Sequence, residues 1–180
     1  NNVVSFGLFL IGAAMMIFTT VDVETEYWTL AVIFFLVGMG MGLTMAPSTT
    51  MVMDSIPHDK AGVGSATNDA SREVGGAFGI AIVGSAVNEI YQRRMVVPEG
   101  LEAHSSVVSE SFPAAIRIGG ELLSQGNSLG MELIENAQFA FVEGMTGAAA
   151  VSAFVAVLSA ILVKLYMPSR SVPEAAKDGA

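Results

Sequence analysis

The placement of charge along the chain constrains its fold more than any other feature. Charged residues fall in clusters, and four stretches between them are long and apolar. Residues 1–21 carry no charge, and neither do residues 27–53. A third gap, 74–88, is only 15 residues, but it lies in a helix-compatible stretch from about 65 to 91. The fourth gap, 144–163, is 20 residues. A bilayer core of about 30 Å takes roughly 20 residues at ~1.5 Å rise per residue. Three gaps therefore span directly, and the third does so if its helix runs past its flanking charges. The sequence predicts an all-α integral membrane chain with four transmembrane helices, at about 3–21, 29–53, 65–91 and 137–167.

Composition removes the other classes. Of the 180 residues 52% are hydrophobic and 14% charged, against close to one quarter charged in a soluble domain, so disorder is excluded. With no Cys there is no disulfide framework, thiolate metal site or Cys nucleophile. A net charge of −9 leaves no basic surface for nucleic acid. The chain starts with Asn almost inside its first span, with no basic stretch before it, so it reads as a fragment of a longer protein rather than as a chain with a signal peptide.

Lys and Arg set the orientation. Four spans place both ends on one side, together with Lys60, Arg72, Lys164, Arg170 and Lys177, whereas Arg93, Arg94 and Arg117 fall on the other. The termini are expected inside the cell. Outside lie an acidic turn with Asp22, Glu24 and Glu26, followed by Tyr27 and Trp28 as interfacial anchors, and a loop over 92–136. Residues 91–143 hold 7 Glu and 3 Arg and are too polar to span; the amphipathic run from Phe112 suits a surface helix or a short interfacial one. The tail, 169–180, reads as cytoplasmic and disordered.

The second and third segments have a peculiar build. The second contains Gly38, Gly40 and Gly42, then Pro47, and five Met. Gly38 and Gly42 form a GxxxG spacing suited to close helix approach. Pro47 lacks an amide hydrogen and should kink its helix. Gly75, Gly76 and Gly79 give the third segment a second such spacing. Ser65 is the expected N-cap there, and Arg72 lies three residues after Asp69, within reach of an ion pair. Two accounts fit: kinked packing helices, or a hinge lining a pathway with Met41, Met45 and Thr49 on one side and Phe78, Ser85 and Asn88 on the other. The first and fourth segments, rich in Leu, Ile, Val and Phe, suit a lipid-facing periphery.

Catalytic constellations are thin. His58 and His104 fall on opposite predicted sides and cannot share a metal, and His58-Asp59 lies in a solvated loop. Phosphate-loop, nucleophile-elbow and zinc-protease motifs are missing from the sequence, so it predicts no enzyme, no metal site and no cofactor. None of the four spans has a charge at its centre, so a coupling carboxylate is expected elsewhere in the longer protein.

One joint pattern is more specific. Gly38-x-Gly40-x-Gly42 and Ala46-Pro47 are followed by Ile56-Pro57-x-x-Lys60-Ala61-Gly62-x-Gly64-Ser65-Ala66-x-Asn68-x-x-x-Arg72-x-x-Gly75-Gly76-Ala77-x-Gly79-x-Ala81. This run resembles the major facilitator superfamily, in its fourteen-helix branch of drug:proton antiporters of the quaternary-ammonium and multidrug efflux type. The resemblance implies the last four helices of the transporter's C-terminal half, in a bacterial inner membrane. It also implies antibiotic resistance as a phenotype, a proton gradient as driving force, and a hydrophobic or cationic substrate. The second and third helices would then line or gate the cavity against the remaining helices, with Lys60, Gly62, Gly64 and Arg72 at its inner mouth. Glu73 stands where glutamine is common in that family, and Asp69 adds a further acid. The competing readings are a transporter of the same superfamily moving a single metabolite, and a small structural four-helix membrane protein.

Overall fold

A computed structural model describes residues 2–57 and 60–166, and all the regular structure in it is helical. Helix α1 spans Asn2–Phe18, α2 Tyr27–Asp54 and α3 Ala61–Arg94. A 3-10 turn at Glu102–His104 leads into α4, Ser105–Glu110, and α5, Phe112–Ser124. The chain returns in α6, Leu129–Tyr166. His58, Asp59 and the predicted tail lie outside the described residues.

Three of these helices, α2, α3 and α6, are long and apolar enough to cross a membrane. With 17 residues, or about 26 Å at ~1.5 Å each, α1 is shorter than a bilayer core. At 34 and 38 residues, α3 and α6 are much longer than one, about 51 and 57 Å. The excess is used at one end of the molecule, where Tyr91 of α3 and Leu133, Ala137 and Ala140 of α6 are buried in a core shared with Val108, Ala115 and Ile118.

The lateral order of the long helices differs from their order in the chain. Helix α1 packs against α2 on one side and α6 on the other, and α6 packs against α3. The row is therefore α2, α1, α6, α3, with α2 and α3 meeting only slightly. Glycine sets the close spacings. A Cβ on Gly7 would lie 2.8 Å from the Gly40 carbonyl, and one on Gly40 would lie 2.7 Å from the Gly7 carbonyl, so α1 and α2 touch backbone to backbone. Gly144 plays the same part between α6 and α3, where a Cβ would lie 2.7 Å from the Val87 carbonyl. At the other end of α6, Ser5 Oγ donates to the Ala160 carbonyl at 2.8 Å and Lys164 Nζ donates to Asn2 Oδ1 at 2.8 Å. The start of α1 and the end of α6 are thus side by side.

Several local expectations are revised. Helix α3 begins at Ala61, one turn before Ser65, so Ser65 is an interior residue and not the cap. The expected loop over 92–136 is largely helical and packed. In α5, Ser111 caps the start by accepting the Ala114 amide, and Ala115, Ile118 and Gly119 face inwards onto α6 rather than into lipid. The helix ends through Gly126 at φ +78°, where a side chain would be strained. The amide of Asn127 closes that end on the Leu122 carbonyl at 2.9 Å.

The helices expected at the periphery, α1 and α6, hold the middle of the row. Their outward surfaces still carry Phe6, Phe9, Phe154, Leu158 and Ile161, which suit lipid. The outward surface of α3 is mixed, with Gly75, Gly76, Gly79 and Ser85 exposed among bulky Val74, Phe78, Ile80 and Ile82.

Candidate functional site

The face shared by α2 and α3 starts at the short connection between them. Ile56 at the end of α2 fills the space over Gly64, where a side chain on the glycine would collide with it. Val52, Ile56, Lys60, Gly64, Asn68 and Ser71 surround a cavity of about 420 Å³ there. Further along, Arg72 Nη2 donates to Thr49 Oγ1 at 2.9 Å, a side-chain bond joining α3 to α2. Arg72 thus reaches across to the neighbouring helix instead of pairing with Asp69 on its own.

Of the six residues expected to line a pathway, Thr49 is the one engaged across this face. Met41 and Met45 precede it at spacings of four and are 48% and 41% exposed, and Phe78 is 66% exposed. Ser85 and Asn88 follow on the far half of α3 and are exposed as well. The face is therefore open, and its two walls do not enclose a volume along their length. Neither do the expected glycine spacings meet a partner here: around Gly38, Gly42, Gly75, Gly76 and Gly79 no atom of another helix lies within 4 Å of an added Cβ. Gly62 is open in the same way. The one α2 glycine in tight contact is Gly40, against Gly7, and Gly12, Gly144 and Gly147, packed on Val157, Val87 and Ile90, are further tight glycines that spacing alone did not single out. Their signal was present as small residues recurring in segments one and four, hidden among bulkier ones.

Helix α2 continues through Pro47 from Tyr27 to Asp54. The hydroxyls of Thr44, Thr49, Thr50 and Ser55 each donate to the carbonyl four residues back, at 2.7–3.1 Å. These bonds keep hydroxyls paired in an apolar segment and loosen the same helical turns that Pro47 deprives of an amide.

At the opposite end, the cap closes over α3 and α6. Tyr91 donates its hydroxyl to the Val108 carbonyl at 2.7 Å and is 2% exposed. Its ring meets Phe112 edge-on at 6.2 Å, and Phe112 stacks on Phe141 at 4.3 Å. Arg94 Nε lies 3.0 Å from Glu143 Oε2, tying the end of α3 to α6. Asn136 Nδ2 donates to the Val96 carbonyl at 3.0 Å, holding the chain that leaves α3. On the cap's surface the Gly100 amide donates to Glu102 Oε1 at 2.9 Å, which holds the Glu102 carboxyl below the ordinary glutamate range.

Comparison with known proteins agrees with this geometry. Residues 2–84, covering α1, α2 and most of α3, match the Major Facilitator Superfamily. The chain is similar to the multidrug efflux pump LfrA of Mycolicibacterium smegmatis, 25% identical over 131 residues, which is 72% of this chain and 25% of that protein. It is 27% identical to the methyl viologen resistance protein SmvA of Salmonella typhimurium over 125 residues, 67% of this chain and 24% of that one. With the multidrug transporter protein MdtP of Bacillus subtilis the identity is 28% over 82 residues, 46% of this chain and 15% of the relative. The chain thus spans a quarter or less of the curated relatives it matches. No solved structure matches it. The run of residues from α1 into α3 and the relatives agree: this is a chain of membrane-length apolar helices, similar over residues 2–84 to the Major Facilitator Superfamily and more widely to multidrug efflux pumps.

Proposed function

We propose that the chain supplies the last four transmembrane helices of a proton-driven exporter of lipophilic compounds, cationic ones included, and is not an enzyme. The observation that carries this reading is the open α2–α3 face: small residues, methionines and an aromatic ring exposed on the two long helices that pack least on the rest of the chain. A water-filled or substrate-filled cavity tolerates the bare stretches of such a surface, whereas lipid favours the continuous bulky surface that α1 and α6 present. A mostly apolar wall with few hydrogen-bonding groups grips a bulky hydrophobic molecule better than a small polar metabolite. The remaining helices of the longer protein would close the face, and Met45 and Pro47 would supply a deformable wall and a bending point.

In this reading α1 is a fourth span, and both ends of the chain are cytoplasmic at a bacterial inner membrane. The adjacency of Asn2 and Lys164 supports the two ends sharing one side. The loop end, with Lys60 and Arg72, faces in; the cap faces out. The driving force is the proton gradient, no cofactor takes part, and the coupling carboxylates belong to other helices. Resistance to the exported compounds follows.

The test uses the full-length protein in cells lacking other efflux pumps. Ethidium and methyl viologen are expected to leave against their gradient, and an uncoupler should stop their export. Met45→Ala should change which compounds leave, and Pro47→Ala should slow all of them at equal expression. Export that persists without a proton gradient, or a spectrum confined to one polar metabolite, would overturn the reading. Cysteines placed at Lys60 and Ser106 should label from opposite faces, Ser106 from outside; labelling of Lys60 from outside with Ser106 protected would reverse the topology, and labelling of both from outside would refute it.

A further inference from the structure

The start of α1 and the end of α6 enclose a trough of about 710 Å³ on the outward surface of the molecule. Its floor is made of small residues. Ser5 donates its hydroxyl to the Ala160 carbonyl at 2.8 Å, which ties the two helices together and leaves no bulk between them. The walls are bulky: Phe6 and Phe9 stand on α1 at a spacing of three, Ile161 and Leu165 on α6 at a spacing of four, and all four are at least half exposed. The trough closes at its deep end, where a Cβ on Gly12 would lie 2.7 Å from Val157 Cγ2. At the other end lies Lys164, whose Nζ donates to Asn2 Oδ1 at 2.8 Å. From Lys164 to Val157, as from Asn2 to Phe9, the helix runs about 10 Å at ~1.5 Å per residue.

Charge decides what fits. Among the described residues Lys164 is the one charged group lining the trough, and it makes no ion pair. It is the only basic residue of α6, and α1 carries no charge at all. Its bond to Asn2 uses one of three ammonium hydrogens, and the Asn2 carboxamide has an NH2 of its own to offer. A positive charge and donors at one end, with only hydrocarbon beyond, suit an amphiphile with an anionic head. The apolar length fits within one leaflet, half of a core of about 30 Å. A protein helix is a poorer occupant. The close helix contacts of this molecule form over glycine, Gly7 on Gly40 and Gly144 on Val87, whereas Phe6, Phe9 and Leu165 would hold a backbone away. We propose that the trough holds one anionic phospholipid, its phosphate on Lys164 and Asn2 and one acyl chain between Phe6 and Ile161, in the leaflet on the side of the chain ends. The bound lipid fastens the seam between α1 and α6. The inference rests on α1 being a span, as proposed above, and goes beyond the export reading, in which this surface has no part.

The experiment uses the full-length protein in phosphatidylcholine nanodiscs, with a phosphatidylglycerol carrying a diazirine in mid-chain as the probe. Light should couple it to residues 5–9 and 157–161, and a phosphatidylcholine probe with the same chains should couple there about fivefold less. Lys164→Gln should bring the two probes level. Lys164→Arg should keep the preference, as should Lys60→Gln, which removes a positive charge outside the trough. Glycerol phosphate, the head without its chains, should not displace the probe. Equal coupling of the two probes, or a preference that survives Lys164→Gln, would overturn the site. An equal loss in Lys60→Gln would overturn it too, by reducing the effect to general surface charge, and displacement by glycerol phosphate would make it a site for free phosphate. Coupling spread evenly over the outward faces of α1, α3 and α6 would show ordinary boundary lipid, and coupling to those faces but not to the trough would place another helix of the longer protein on it; either result sinks the proposal. The crosslink map of the unmodified protein decides the location even if the Lys164 variants fail to fold. Failure of α1 as a span has a different signature, no coupling anywhere on α1 with α6 still labelled, and brings this site down with it.

Discussion

The cap and the α2–α3 face use overlapping residue types to opposite ends. In the cap and along α6, Gly119, Gly130, Gly144 and Gly147 each have a neighbour inside the space of a missing side chain. On the α2–α3 face Gly38, Gly42, Gly75, Gly76 and Gly79 have none. The same contrast holds for large residues: Tyr91, Val108 and Leu133 are fully buried, while Phe78 and Ile80 project outwards. A glycine spacing therefore states that a backbone is bare and leaves open which partner, if any, lies against it. Contact decides stability, and an exposed bare backbone is available for something that comes and goes.

The sharpest way to break this comparison is to place the same bulk on both sides. Gly144→Leu should force α6 away from the Val87 backbone, costing on the order of 1–3 kcal/mol or more, with a matching fall in the thermal midpoint of the full-length protein. Gly79→Leu should shift that midpoint little, within about 0.5 kcal/mol, and should lower efflux instead. Equal destabilisation at both sites would show that another segment seals the α2–α3 face permanently.

Next in size is Tyr91→Phe. It keeps the ring contacts and removes one buried bond, stranding the Val108 carbonyl at a cost of about 1–3 kcal/mol. Limited proteolysis of the cap should speed up, and transport should suffer only as far as the cap opens. Arg72→Gln is expected to cost less stability, at most about 1 kcal/mol, because its bond to Thr49 is exposed. Its larger effect should be on transport rate, with Arg72→Lys intermediate since it keeps charge but loses the planar fork. Unchanged transport in both variants would reduce the bond to an incidental surface contact.

The smallest effect concerns the cap's surface. The Glu102 carboxyl is held low by the Gly100 amide, so its contribution is present above the unfolded glutamate value of about 4.3 and is lost as pH falls through the lower folded value. Glu102→Gln should flatten the acid limb of the cap's melting profile and leave the neutral limb nearly unchanged. A profile identical to that of the unmodified protein would show that this amide contact is not maintained in solution.

The membrane character and the long helices were legible in the sequence because a charge-free gap is a one-dimensional signal. Helices α2 and α3 follow from it with ends displaced by up to four residues, whereas α6 begins at Leu129, eight residues before the expected start, because its first two turns pack into the cap. The cap was not legible as a packed unit, since residues 92–136 have turn residues at 98–100 and 126–128 but no long apolar run. Its core comes from Tyr91, Val108, Ile118 and Leu133, which are brought together by three-dimensional return of the chain. The candidate pathway is a sequence expectation that rests on bare and flexible residues on two helices, and of its six residues Thr49 is the one bonded across to the other helix. Which glycines touch was not legible, because Gly40 differs from Gly38 and Gly42 only by the side of the helix on which it falls.

The lateral order α2, α1, α6, α3 has a consequence for how the protein is made. Helix α2 can dock on α1 as soon as it is synthesised, but the main partner of α3 is α6, and 72 residues separate the last residue of α3 from the last residue of α6. At about 5–20 residues per second that interval is roughly 4–14 s. Throughout it α3, with its glycine-rich surface and acidic first half, stands in or beside the bilayer without its neighbour. Within this region the α3–α6 pairing is therefore the last to form, and α3 waits for it longer than α2 waits for α1.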